Sequence, residues 1–251
     1  MKEEILHKLK EIEETKNITV LYAVETGSRA WGHSNINSDY DIRFIYKRND
    51  LAQYLVLDKF DDVIQYDDGV FDFVGWDVKK ALYLHFKSNP NLREWLISPK
   101  VYIPDKIGIF RDFEDFNPEI LRQYYFGLAM KTYKKYIEGN DFRDLKVVKK
   151  TLYVIRCILA WKLLDNEVLP PMGFDELIEK SEISDDLKES MLTLKQAYST
   201  LTINDVGDEV FDMVHTWIAE SLCEFTKKSF NAPKRDINDY NVRFQEIIGL
   251  K

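Results

Sequence analysis

The chain has few of the residues that cross-link, punctuate or anchor a protein. Two cysteines, Cys157 and Cys223, occur in 251 residues. No CxxC or Cys/His spacing accompanies them, which excludes a disulfide framework and a cysteine-rich zinc site. Glycine and proline number 10 and 7, too few for a fibrous or low-complexity chain. No apolar run approaches bilayer length: Tyr153–Trp161 is about half of it and contains Arg156. Met1–Lys10 is charged and amphipathic, unlike a secretory leader, so a cytoplasmic location with reduced thiols and no membrane association is expected. No GxxxxGK[ST] loop is present and no Ser/His/Asp triad can be assembled.

What is abundant is aromatic and charged. Fifteen Phe, 14 Tyr and 5 Trp cannot all remain in water, so the chain folds around a real core. The formal net charge is −8, which gives no global attraction to nucleic acid. The charge is unevenly placed, however. Lys131–Lys162 holds seven Lys and two Arg against Glu138, Asp141 and Asp144, a local excess of +6. Such a segment suits a polyphosphate or a nucleic-acid end, and equally a solvated helix face.

Periodicity divides the chain. Residues 3–15 place Ile5, Leu6, Leu9 and Ile12 on one helical stripe. Ile18–Glu25 reads as a buried strand, and Tyr40–Lys47 as a strand with Tyr40, Ile42, Phe44 and Tyr46 on one side. Val63–Tyr66 and Val70–Trp76 form a predicted hairpin around Asp68-Gly69. Asp77 caps a helix over Val78–Lys87, which Asn89-Pro90 stops before a short helix at Leu92–Ile97. Beyond about residue 100 strand-like alternation ends. Helical patterns follow at 118–138, 144–165, 185–199 and 207–229, with a last helix near Tyr240–Ile248. The expected fold is mixed α+β: residues 1–105 with a small mixed sheet, then residues 106–251 all-helical.

The chemistry concentrates in residues 25–43. Aspartate is depleted in strands, yet Asp39 and Asp41 open one. Side chains at i and i+2 leave the same strand face. Two carboxylates so placed can converge on divalent cations, and their oxygen donors favour Mg²⁺ or Mn²⁺ over zinc. Arg43 continues that polar face, while Tyr40, Ile42 and Phe44 anchor the other. Upstream, Gly27-Ser28 follows a buried strand directly: glycine lets backbone approach a phosphate, and Ser28 offers a hydroxyl and amides over a short helix at 29–31. Alone, either motif is a turn or a solvated loop. Together, ten residues apart, they are specific. A third carboxylate is expected on a neighbouring strand. Asp72, among Phe71, Phe73 and Val74, is costly there unless paired or metal-bound. Its rival, Asp77, reads as the helix cap.

Gly27-Ser28, then Asp39-Tyr40-Asp41, then Asp72 resembles the nucleotidyltransferase superfamily that includes DNA polymerase β. Within it, Gly27–Gly32 (GSRAWG), Ser38–Tyr46 (SDYDIRFIY), Val74–Asp77 (VGWD) and Lys87-Ser88-Asn89-Pro90 are similar to the RlaP/YcgL-type predicted nucleotidyltransferases, which are associated with RNA repair. The resemblance implies a nucleotidyltransferase-fold domain followed by helices, and in-line transfer of a nucleotide from a nucleoside triphosphate to a hydroxyl, first of all at an RNA end. It implies that Asp39 and Asp41 hold Mg²⁺ or Mn²⁺, with Asp72 as a further metal ligand or as the base that orients or deprotonates the acceptor hydroxyl. Gly27 and Ser28 would hold the β- and γ-phosphates, with Arg29, Arg43, Lys149, Lys150 and Arg156 as cations. Lys149, Tyr153 and Arg156 share a helix face suited to a phosphate and an adenine-sized ring, though Tyr153 fits core packing equally. His33 is expected to be a solvent-exposed loop residue, and Trp31 either stacks on a base or seals the domain edge. Two other functions stay open: the same site acting on a protein hydroxyl, and a nucleotide sensor without turnover.

Overall fold

Val, Ile, Tyr and Phe dominate the first three strands because such side chains pack well on a pleated surface. In a computed structural model, which describes residues 1–57, 61–226 and 234–250, they build a five-stranded sheet ordered β3-β4-β2-β1-β5. The strands are β1 (Ile18–Thr26), β2 (Tyr40–Arg48), β3 (Val63–Asp67), β4 (Phe71–Asp77) and β5 (Val101–Ile103). The hairpin β3–β4 reverses the chain, so β4 runs parallel to β2, while the other neighbours are antiparallel. The expected mixed sheet is therefore present. The strand β5 lies beyond the expected end of strand-like alternation near residue 100; its three residues are too short a run for an alternation signal.

Helix α1 (Lys2–Lys16) covers one face of this sheet. Its Ile5 and Leu9 pack with Ile18, Val20, Ile42, Phe44, Tyr46, Phe71 and Phe73. Helices α3 (Val78–Phe86) and α4 (Pro90–Leu96) begin at caps made by Asp77 on the Lys79 amide and by Asn89 on the Leu92 amide. On the opposite face Trp76 stacks on Trp95 of α4 at 3.7 Å between ring centroids. The core has one position with no room to spare. Phe44 pairs with Gly75 across β2 and β4, and a Cβ at Gly75 would lie 2.2 Å from the Phe44 ring. Gly75→Val should destabilise the sheet by about 3 kcal/mol or more through overpacking. Urea denaturation of the variant checks this, and an unchanged midpoint would contradict it.

The chain falls into two compact units, each discontinuous. One comprises residues 1–27, 39–116 and 233–251; the other comprises 28–38 and 117–232. The last helix, α10 (Ile237–Ile248), belongs to the sheet unit. Tyr240 Oη lies 2.8 Å from His85 Nδ1, Phe113 stacks on Tyr240 at 3.9 Å, and Lys47 Nζ donates to the Ile247 carbonyl. The Arg235 guanidinium donates to the carbonyls of His85, Phe86, Glu114 and Asp115.

The second unit is helical: α5 (Pro118–Tyr136), α6 (Leu145–Asp165), α7 (Phe174–Lys180), α8 (Asp185–Thr200) and α9 (Asp208–Cys223). Four of these match the predicted patterns. The end of the 207–229 pattern, residues 227–229, lies outside the described residues. Helix α6 is buried along nearly its whole length from Val147, and the other helices pack around it. Arg122 is fully buried on α5, donating to Asp165 and to the Thr226 carbonyl, with its guanidinium 4.2 Å from the Phe225 ring centroid.

Candidate active site

The parallel pairing of β2 with β4 sets the site. Its register places Asp41 directly opposite Asp72. Strands in a sheet lie about 4.8 Å apart, and like charges opposed at that spacing repel. The conflict is resolved from within β2. Arg43, two residues beyond Asp41 and so on its face, donates from Nη2 to Asp41 Oδ1 at 2.9 Å and to Asp72 Oδ2 at 2.8 Å. Its Nη1 donates to the Asp72 carbonyl at 2.8 Å. One guanidinium thus serves both carboxylates. The neighbours Ile42, Phe71 and Phe73 point into the core under α1, which fixes the direction of the acids. The side chains of Asp41 and Asp72 remain 27% and 36% exposed. Trp76, four residues past Asp72 on the same face, is where the cover from α4 begins.

Gly27 stands against this pair. Thr26 at the end of β1 pairs with Asp41. The chain then turns through Gly27, whose φ is +65°. A Cβ at Gly27 would fall 2.0 Å from Asp41 Oδ2. The glycine is required twice over, by backbone conformation and by the approach of the carboxylate. Asp39 is exposed just before β2. Asp77, at the other end of β4, is fully buried; it caps α3 and accepts from Tyr54 Oη at 2.9 Å. Burial raises its pKa. It is the helix cap the sequence indicated.

The remaining predicted residues lie in the helical unit, by way of the excursion 28–38. Ser28 and Ala30 are buried in the short helix α2 (Gly27–Trp31). Arg29 donates from Nε and Nη2 to the Ser38 carbonyl at 3.2 and 2.7 Å, tying the two ends of the excursion together. Trp31 packs 5.5 Å from Tyr153 and lies under the Arg156 guanidinium at 4.5 Å, both on α6. Arg156 is 2% exposed, and its Nε donates to the Met172 carbonyl at 3.5 Å. Lys149 is exposed, whereas Lys150 is half-buried with its Nζ 5.1 Å from the Tyr136 ring centroid. The structure therefore gathers Gly27, Asp41, Arg43 and Asp72 at the sheet, while Asp39 is exposed ahead of β2 and does not join Asp41 and Asp72 in a three-carboxylate cluster. It gathers Trp31, Tyr153 and Arg156 in an aromatic cluster of the helical unit.

His33 departs from expectation. It is 1% exposed rather than solvated, held between Trp31 and Phe174 at 5.6 Å from each ring. A loop position carries no burial signal of its own; the packing of the excursion decides it. Burial, with the charges of Arg156, Lys195 and Lys149, pushes its pKa down to about 3. His85, in the other unit, is likewise lowered to about 3 by burial and by Arg235. Both imidazoles fold neutral, so below the ordinary value of about 6.5 the unfolded chain binds protons that the folded chain does not. Stability from this source is complete at neutral pH and is lost as pH falls toward 3. The melting temperature should drop from about pH 7 to about pH 5, and His33→Phe with His85→Phe should flatten that slope. A slope identical in the variant would contradict the assignment.

Among the described residues no helix is long and apolar enough to cross a membrane. No group of three or more His, Cys, Asp or Glu side chains among them is gathered closely enough to hold a metal ion. The pair Asp41–Asp72 nevertheless already holds a cationic group, and its hard oxygen donors are those a divalent cation takes.

Residues 1–244 match the family model described as RlaP, the RNA repair pathway DNA polymerase beta family. An uncharacterized protein, YcgL, of Bacillus subtilis (strain 168) is 34% identical over 247 residues, covering 94% of this chain and 92% of that protein. A solved structure of a nucleotidyltransferase-like protein from Exiguobacterium sibiricum 255-15 aligns over 100% of this chain and 80% of its own, at 9% identity and a TM-score of 0.33.

Proposed function

Since the chain belongs to the RlaP family, the RNA repair pathway DNA polymerase beta family, we propose that it transfers a nucleotide from a nucleoside triphosphate to a hydroxyl at an RNA end. The observation that carries this reading is the pair Asp41–Asp72, opposed in register, sharing one cationic group and lying against a glycine turn. Two carboxylates held so close are unfavourable in a merely structural sheet. They are useful where positive charge must be collected at one point.

In the reaction the acceptor oxygen attacks the α-phosphorus, the bond to the bridging oxygen breaks, and pyrophosphate leaves. Asp39, Asp41 and Asp72 would hold Mg²⁺ or Mn²⁺, which supplies neutralisation of the α-phosphoryl group and of the leaving pyrophosphate. Asp72 takes the proton of the attacking hydroxyl. Gly27 leaves the turn open to the triphosphate, and Ser28 offers its amide and hydroxyl to the β- and γ-phosphates. Arg43 holds Asp41 and Asp72 side by side through one guanidinium. Arg29 sets the shape of the excursion that follows the turn.

The test is incubation with triphosphates labelled at the α- or the γ-phosphate, Mg²⁺, and either total RNA or cell lysate. The reading predicts that α-label, and not γ-label, enters RNA. Label on protein alone would replace the RNA acceptor with a protein one. Nucleotide binding without transfer would make the chain a sensor.

A further inference from the structure

We infer that the lysine-lined surface around Tyr136 in the helical unit is a docking face for the phosphodiester backbone of single-stranded RNA. This deepens the proposed function by locating the acceptor, and it rests on that reading for the choice of RNA.

Ion pairing sets these lysines apart from the others of the helical unit. Among the described residues of the helical unit, Lys162, Lys180, Lys188 and Lys195 are each paired with a carboxylate, Glu224, Glu176, Asp185 and Asp175 respectively. The lysines at the end of α5 and the start of α6 are not paired in this way. Lys131 and Lys135 lie one helical turn apart on α5; Lys146, Lys149 and Lys150 lie in the first two turns of α6. All but the half-buried Lys150 are exposed.

Their arrangement is specific. Lys135 Nζ and Lys150 Nζ, from different helices, lie 4.8 and 5.1 Å from the centroid of the Tyr136 ring. Asp141 and Asp144, in the connection between the helices, are turned to the backbone amides of Arg143, Lys146 and Val147. The cluster is also unfavourable as it stands. Positive side chains at a helix start oppose the macrodipole. Helices α5, α7, α8 and α9 all carry acids in the first turn, but α6 carries none. Burial and the charges of Lys149, Lys146 and Lys135 lower the pKa of Lys150. Like charges gathered at a cost to the fold, in a chain of net charge −8, call for an anionic partner. Lysines on both sides of an aromatic ring fit a strand whose phosphates follow the cations and whose base stacks on the ring.

The experiment is fluorescence anisotropy of the full chain with a labelled single-stranded oligoribonucleotide across a salt series, without nucleotide. Lys135→Glu with Lys146→Glu should weaken binding at least about tenfold at low salt. The dependence of log affinity on log salt should fall by about 1.4, the share of two phosphate contacts. Tyr136→Ala should weaken binding about fivefold or more and leave the salt dependence unchanged. Unaltered affinity and salt dependence in the lysine variant, with its melting temperature preserved, would overturn the inference. So would anionic phospholipid vesicles or polyglutamate bound as tightly as RNA and lost in the same variant. The two readings separate cleanly. Asp41→Asn should keep RNA affinity while losing transfer. Transfer onto RNA with no role for these lysines sinks the docking face alone, and RNA binding through them with no transfer sinks the catalytic reading alone.

Discussion

Asp41→Asn and Asp72→Asn should each lower nucleotidyl transfer by about a thousandfold while leaving the fold intact. The magnitude follows from the loss of charge stabilisation where the pentacoordinate phosphorus and leaving group gather negative charge. Stability should change little. Each carboxylate is partly exposed and shares a single guanidinium, so the ion pairs contribute about 1 kcal/mol or less, and removing one of two repelling charges offsets part of the loss. Asp77→Asn should behave in the opposite way. That side chain caps α3, is fully buried and bonds Tyr54, so the substitution should lower the melting temperature more than it lowers activity. Parallel transfer assays and thermal melts check the contrast. Equal activity in Asp72→Asn and wild type would remove Asp72 from the site.

Gly27→Ala should cost about a hundredfold in transfer with a stability loss of about 1–2 kcal/mol. The alanine meets two obstacles. Its φ of +65° lies in the left-handed region, which costs a side-chain-bearing residue about 1 kcal/mol. Its Cβ would also sit 2.0 Å from Asp41 Oδ2, so the carboxylate must turn away or the turn must open. Displacement of a reacting group by about 1 Å is worth about two orders of magnitude in rate. The informative comparison is Gly32→Ala, where φ is also positive but nothing lies within 4 Å of a Cβ. Gly32→Ala should share the backbone strain and keep most of the activity. If the two variants lost transfer equally, backbone strain rather than contact with Asp41 would be the cause.

Much of this site could be read in the sequence, because its signals are local. Asp39-x-Asp41 at the head of a strand, Gly27-Ser28 after a buried one, and Asp72 after an Asp-Gly turn each reveal themselves within a few residues. Asp77 was recognisable as a cap for the same reason. What escaped the sequence depends on contacts between distant segments. Arg43 continues the polar face of β2, which alternation shows. That one guanidinium spans both carboxylates depends on the parallel register of β2 and β4, and a sequence does not fix register. His33 is buried because the excursion 28–38 joins the helical unit, and no periodicity marks a loop for burial. The helix α10 was visible as a pattern. Its return to the sheet, through Tyr240 on His85 and Ile247 on Lys47, closes loops of 155 and 200 residues about which local propensity says nothing.

Arg43 gives the central claim its sharpest form. If the pair Asp41–Asp72 exists to hold a cation, a divalent ion should compete with the guanidinium for the same oxygens. Electron paramagnetic resonance of free Mn²⁺ during titration with the protein measures this directly. The wild-type chain should quench the free-ion signal, Asp41→Asn combined with Asp72→Asn should not, and Arg43→Met should quench it at a lower ion concentration than wild type. Identical Mn²⁺ binding by the wild-type chain and the doubly substituted carboxylate variant would show that the ion goes elsewhere and that these acids are structural.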